Sequence, residues 1–161
     1  MSECQLRVSL SQQALKLMDG DAVTACYTVS TALAGAGEAN GSGCTPRGQH
    51  YIRACIGGNR PEGAVFIARR WTGEVYSPEL AARYPERDWI LSRILWLCGR
   101  EKGFNRGGDV DTQRRYIYIH GTPDSEPMGV PRSHGCVRMR NADLVELFER
   151  VQPGMSVLIE E

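Results

Sequence analysis

Tyr116-Ile117-Tyr118-Ile119-His120-Gly121-Thr122 and, a short loop later, Ser133-His134-Gly135-Cys136-Val137-Arg138-Met139 are the two stretches that organise this chain. The first is rich in β-branched and aromatic residues, which predicts a buried strand ending at His120. The second begins after a spacer spanning residues 121–132. Together they bring two of the three histidines and one cysteine within seventeen residues, with glycines around them. A cysteine beside glycine and histidine, with a second histidine close by, is what thiol-based acyl transfer requires. The thiolate attacks, an imidazole takes its proton, and small residues let backbone N–H groups approach a developing oxyanion.

Outward from these stretches, short alternating runs dominate. Leu6, Val8 and Leu10 share one face, and further apolar runs cover residues 14–18 and 22–29 beyond polar turns. This is the pattern of an antiparallel meander. Residues 30–48, rich in Gly, Ala and Ser, read as a loop, and strands follow at 49–56, 65–68 and 94–97. Residues 71–89 are irregular, with one helical turn near 79–83. The clearest helix comes last. Asn141 is its expected N-cap and Asp143 lies in its first turn. Leu144, Leu147, Phe148 and Val151 form its apolar face, and Pro153-Gly154 ends it. A closing strand covers 156–159. The fold class is mainly β, a β-rich α+β sandwich or barrel, with one clear C-terminal helix and a helical insert.

The 161 residues suit one domain, taken as 1–161, and 42% hydrophobic content is enough for a core. Zero net charge gives no sign of nucleic-acid binding. Of the 19 basic residues only Lys16 and Lys102 are lysines, which favours carboxylate recognition by arginine over Schiff-base chemistry. No segment has the length and apolarity of a membrane helix, and the N-terminus carries no signal-peptide pattern. The cysteines at 4, 26, 44, 55, 98 and 136 are widely spaced with no CxxC. Five are expected to be buried or inert free thiols and Cys136 reactive, which fits a reducing, cytoplasmic compartment. His50, on an alternating strand, is expected to be structural, and Cys44 to be packing.

The serine-histidine-glycine-cysteine run, preceded by a histidine and a spacer, resembles the signature of the L,D-transpeptidase (YkuD) family. Three further segments are similar in family order: Thr45-Pro46-Arg47-Gly48, Tyr118-Ile119-His120-Gly121-Thr122, and the Pro153-Gly154-Met155-Ser156-Val157 ending. Residues 71–111 are the least typical. The resemblance implies Cys136 as nucleophile and His120 as base, with the Gly121 carbonyl orienting its ring. It also implies His134 lining the site, N–H groups of Gly135 and Cys136 forming the oxyanion hole, and Arg138 holding a substrate carboxylate beside Ser133 and Tyr118. Where the family commonly has asparagine two residues after the cysteine, this chain has Arg138, an arginine many members share. A histidine near Cys136 is expected to lower its pKa.

His120, His134 and Cys136 are also three potential zinc ligands. No HExxH or CxxC accompanies them, so neither a metal nor another cofactor is expected. The resemblance implies peptidoglycan stem peptides or muropeptides as substrates, cleaved through a cysteine acyl-enzyme. With no leader evident, water is the expected acceptor, giving a cytoplasmic L,D-carboxypeptidase of murein recycling. An exported transpeptidase forming 3-3 cross-links and an inactive muropeptide-binding module are the alternatives. No membrane partner is expected, and oligomeric state is left open.

Overall fold

The structure, a computed structural model, describes residues 4–161. Residues 1–3, part of the stretch read as leaderless, lie outside it. Strands β1 (Cys4–Ser9), β2 (Ala14–Asp19) and β3 (Ala22–Ser30) form the expected meander. They are followed by β4 (Gly48–Ile56), β5 (Ala64–Ile67), β6 (Arg70–Val75), helix α1 (Pro78–Arg83) and β7 (Ile90–Gly99). The chain closes with β8 (Tyr118–Thr122), β9 (Val137–Arg140), helix α2 (Asn141–Phe148) and β10 (Ser156–Glu160). The sheet runs β4-β10-β1-β2-β3-β9-β8-β7, and β7 pairs back onto β4. That pairing makes a ring, which leaves no open edge among these strands. The β5–β6 hairpin hangs from the first residues of β7, through Val65 opposite Leu91 and Phe66 opposite Ile90.

The ring closes because alternating apolar residues meet in register. Leu6 faces Leu17 on one side and Val157 on the other; Val8 faces Leu15 and Ile159 in the same way. All are buried, together with Leu95, Leu97, Ile119, Val137 and Met139. A two-residue period puts one face of each strand into this core. Leu144 and Leu147 of α2 pack into the same core, with Phe148 and Val151 only partly buried against it.

Several local details differ from expectation. β8 does not stop at His120 but continues to Thr122, and residues 137–140 form a further strand. Both follow from parallel pairing, with His120 opposite Arg138 and Thr122 opposite Arg140. Asn141 is not the cap of α2. Arg140 holds that position without a side-chain cap, and the helix ends at Phe148, well before Pro153. Asn141 instead turns inward, where partners in the sheet satisfy its amide. Residues 71–111, the least typical stretch, carry helix α1 and β7, whose Leu91, Ile94, Leu95 and Leu97 are fully buried around the strand expected at 94–97. Of the five cysteines expected to be buried or inert free thiols, Cys98 is buried, Cys44 and Cys55 are partly exposed, and Cys4 and Cys26 are exposed. All six are free thiols.

His50 is enclosed, its Nδ1 donating to the Gly48 carbonyl at 3.0 Å and its Nε2 3.0 Å from the Thr112 hydroxyl. Burial pushes its pKa down to about 4. The unfolded chain therefore binds this proton near pH 6.5 and the folded chain only near pH 4. His50 stabilises fully above the unfolded value, and that contribution, about 3 kcal/mol, is lost as pH falls through the folded value. His120, also kept neutral by burial, acts in the same direction. Urea unfolding from pH 7 to pH 4 should show a shallower loss of stability for His50→Gln than for the wild type. Equal slopes would contradict this account. No helix among the described residues is long and apolar enough to cross a membrane.

Candidate active site

The register of β8 and β9 builds the site. Ile119 lies opposite Val137 and both point into the core. Their neighbours His120 and Arg138, also opposite each other, therefore point the other way. Two residues earlier on the same face stand Tyr118 and, just ahead of β9, Cys136. All four line a cavity of about 480 Å³, with Ser133 and His134 at its edge.

The turn that carries Cys136 is braced from within. The Ser133 hydroxyl donates to the Cys136 carbonyl at 2.5 Å and accepts the Gly135 N–H at 3.2 Å. Gly135 has φ +133, and a Cβ there would stand 3.3 Å from the Cys44 carbonyl oxygen. The Thr45 hydroxyl accepts the Ala32 N–H and donates to the Gly135 carbonyl at 2.9 Å. The threonine-proline segment thus acts as a buttress for the nucleophile's turn. The Gly135 N–H, one of the two expected oxyanion donors, is thus directed at the Ser133 hydroxyl.

His120 is 2% exposed. Its Nδ1 donates to the Gly121 carbonyl at 2.7 Å, which leaves Nε2 of the neutral ring as the acceptor. Burial lowers its pKa, so the ring stays neutral. The Cys136 thiol donates to the Tyr116 carbonyl at 3.4 Å, and the Tyr118 N–H donates to the sulfur at 3.3 Å. The expected lowering of the thiol pKa does not occur. Burial pushes it up to about 11, against the opposing pull of the Tyr118 N–H. The resting pair is therefore neutral thiol and neutral imidazole. Such a pair makes its nucleophile by proton transfer during attack rather than storing a thiolate.

The other expected site residues are placed as follows. Arg138 is 8% exposed and lies 3.6 Å from Asp88 Oδ1 and 4.0 Å from Glu126 Oε2. These are long ion pairs to solvent-exposed acids, and the guanidinium keeps its place on the cavity wall with Cys136 and His120. His134 is exposed at the cavity mouth. Gly121 is buried in β8, and the buried Tyr118 presents its hydroxyl to Arg69 at 3.0 Å.

Sequence reasoning missed several contributors. Arg115 lines the cavity and donates to the Cys44 carbonyl at 2.6 Å, holding the glycine-rich loop in place. Asn141 accepts the Ser92 hydroxyl at 2.6 Å and donates to the Thr122 carbonyl at 2.9 Å, directly behind the histidine strand. Arg69 reaches the cavity from the tip of the β5–β6 hairpin. That turn places Ala68 (φ 50) and Arg69 (φ 65) in left-handed conformations without a glycine, so no turn signature marked it. Among the described residues no three His, Cys, Asp or Glu side chains gather as a metal site.

Cys136 and the carbonyl-oriented His120 thus line one cavity on the outer face of a closed β-sheet. Residues 5–159 match the model of the YkuD family, the L,D-transpeptidase catalytic domain, and the chain belongs to that family. It is 41% identical over 65 residues to the putative L,D-transpeptidase YqjB of Bacillus subtilis, covering 40% of this chain and 35% of that protein. Over 43 residues it is 49% identical to the probable L,D-transpeptidase YbiS of Escherichia coli K12, covering 27% of this chain and 14% of that one. The matched segments thus span 35% of the first relative and 14% of the second. Among solved structures, the fold is similar to an L,D-transpeptidase from Mycobacterium smegmatis, with TM-score 0.57, 14% identity, and coverage of 99% of this chain and 59% of that one. It is also similar to the L,D-transpeptidase from Xylanimonas cellulosilytica, with TM-score 0.54, 22% identity, and coverage of 98% and 60%.

Proposed function

We propose that this protein is a cysteine-dependent L,D-carboxypeptidase that removes the terminal D-Ala from peptidoglycan stem tetrapeptides. The observation that carries the reading is the shared wall of the cavity, where the Cys136 thiol and the His120 imidazole, locked by Gly121, face the same space. His120 Nε2 takes the thiol proton as sulfur attacks the carbonyl before the terminal residue. The Cys136 N–H faces the developing oxyanion. The imidazolium then gives its proton to the departing D-Ala amine, leaving a thioester. Water, deprotonated by the same nitrogen, opens the thioester and releases the tripeptide and the thiol.

The cavity volume of about 480 Å³ supports water as the acceptor. It lies in the lower part of the range for small-ligand pockets and suits one peptide end better than two stems. Six free thiols, two of them exposed, favour a reducing compartment and hence a cytoplasmic site of action. The names of the relatives, both L,D-transpeptidases, favour the second reading, in which an amine from another stem takes the acyl group. Incubation with disaccharide-tetrapeptide, with and without a second stem peptide, separates the two by mass spectrometry. Loss of one alanine without dimer is the expected result; dimer as the main product would overturn hydrolysis.

A further inference from the structure

Three guanidinium groups line the catalytic cavity, and they differ in what neutralises them. Arg138 sits beside Asp88 and Glu126. Arg115 is committed to the backbone carbonyls of residues 37, 38 and 44. Arg69 pairs with no carboxylate among the described residues. One of its N–H groups donates to the Tyr118 hydroxyl at 3.0 Å. Its guanidinium lies 4.7 Å from the centre of the Trp96 ring and 4.9 Å from that of Tyr116. Two aromatic contacts and one hydrogen bond fix the group while most of its five donors stay uncommitted. A cation held this way is pre-organised for a bidentate anion, because little side-chain freedom is left to lose on binding.

Its distance from the chemistry is set by Tyr118, whose backbone N–H reaches the Cys136 sulfur and whose hydroxyl reaches Arg69. One tyrosine side chain therefore separates nucleophile from cation. A peptide attacked at the carbonyl before its last residue carries its terminal carboxylate one residue further on, roughly 3.5 Å along an extended chain. With the attack distance at one end and a charge-assisted hydrogen bond of about 2.8 Å at the other, that reach is comparable to the tyrosine spacer.

We propose that Arg69 is the carboxylate anchor of this cavity: it binds the free α-carboxylate of the departing residue and so selects peptides that end one residue beyond the scissile bond. The inference rests on the carboxypeptidase reading above and adds the residue that recognises the chain end. It assigns carboxylate recognition to the hairpin tip rather than to Arg138, which has Asp88 and Glu126 within 4.0 Å.

The test compares kcat/KM for a tetrapeptide with a free C-terminus and for its C-terminal carboxamide, on the wild type, Arg69→Gln and Arg69→Lys. The wild type should prefer the acid by about 10- to 100-fold. Arg69→Gln should bring the ratio close to one, mainly through KM for the acid, and Arg69→Lys should recover part of it. A merely structural Arg69 would lower both substrates together and leave the ratio at its wild-type value, which would overturn the proposal. A wild type indifferent to amidation would overturn it as well. No turnover of either substrate would instead remove the carboxypeptidase reading, and this inference with it.

Discussion

Cys136→Ala should lose turnover by about 10⁴- to 10⁶-fold, the range typical when a nucleophile is removed from a preassembled site. Its unfolding midpoint should stay close to wild type. The interactions lost are two weak ones, to the Tyr116 carbonyl and from the Tyr118 N–H. The same thiol gives the pH signature. With its pKa near 11, free Cys136 is almost wholly protonated at neutral pH, so alkylation by iodoacetamide should keep rising as pH climbs toward that value. Turnover should behave differently. The proton passes to His120 within the complex, and His120 is held neutral below the ordinary imidazole range, so activity should persist on the acid side of pH 6.5. An alkylation rate that levels off below pH 8 would mean a preformed thiolate–imidazolium pair and would sink the neutral-pair mechanism. Residual turnover in Cys136→Ala would sink the thiol assignment itself.

The β class of this fold was legible because its signal is local. Leu6 and Val8, or the apolar run ending at Ile119, alternate with period two, and that period survives whatever the strands pair with. Strand limits were less legible because they depend on partners. β9 has only four residues, and it exists because β8 lies beside it in parallel and because β3 offers Val29 and Ser30 on its other side. Cys136 and His120 stood out through residue type alone. Arg69 and Arg115 did not, because an arginine in a hairpin or a turn has the same local pattern whether it faces solvent or a cavity. Asn141 misled for a physical reason. Asparagine before an amphipathic run is a good cap, but here burial against β8 and Ser92 satisfies its amide better than the helix end would. The direction of the thiol pKa differs similarly, since a histidine nearby in the chain was visible in the sequence and the burial that raises the pKa was not.

Gly121→Ala is the second substitution with a large expected effect, and it reaches both stability and catalysis. A Cβ on Gly121 would overlap the Asn141 side-chain oxygen and lie 2.6 Å from the Leu91 carbonyl oxygen. Neither can give way easily. Leu91 belongs to β7 and is paired directly with Gly121. The Asn141 oxygen holds the Ser92 hydroxyl, while its amide nitrogen holds the Thr122 carbonyl. Ser92 is itself fixed, fully buried with φ 72 at an irregularity in the β7–β8 register. Bulges of this kind re-aim side chains next to active sites. With both obstacles anchored, β8 must move, at a cost of about 1–3 kcal/mol or more for overpacking. The atom displaced with it is the Gly121 carbonyl, the partner that keeps the proton on His120 Nδ1. Once that bond lengthens, the ring is free to rotate or change tautomer, and Nε2 no longer points reliably at the thiol. A fall in kcat of about 10²- to 10⁴-fold should result, the contribution of a positioned base. It should come together with a lower unfolding midpoint. Asn141→Ala in the Gly121→Ala background removes one obstacle and leaves the other, so it should restore part of the stability. Wild-type kcat and midpoint in Gly121→Ala would show that β8 tolerates the methyl group and that the carbonyl does not govern His120.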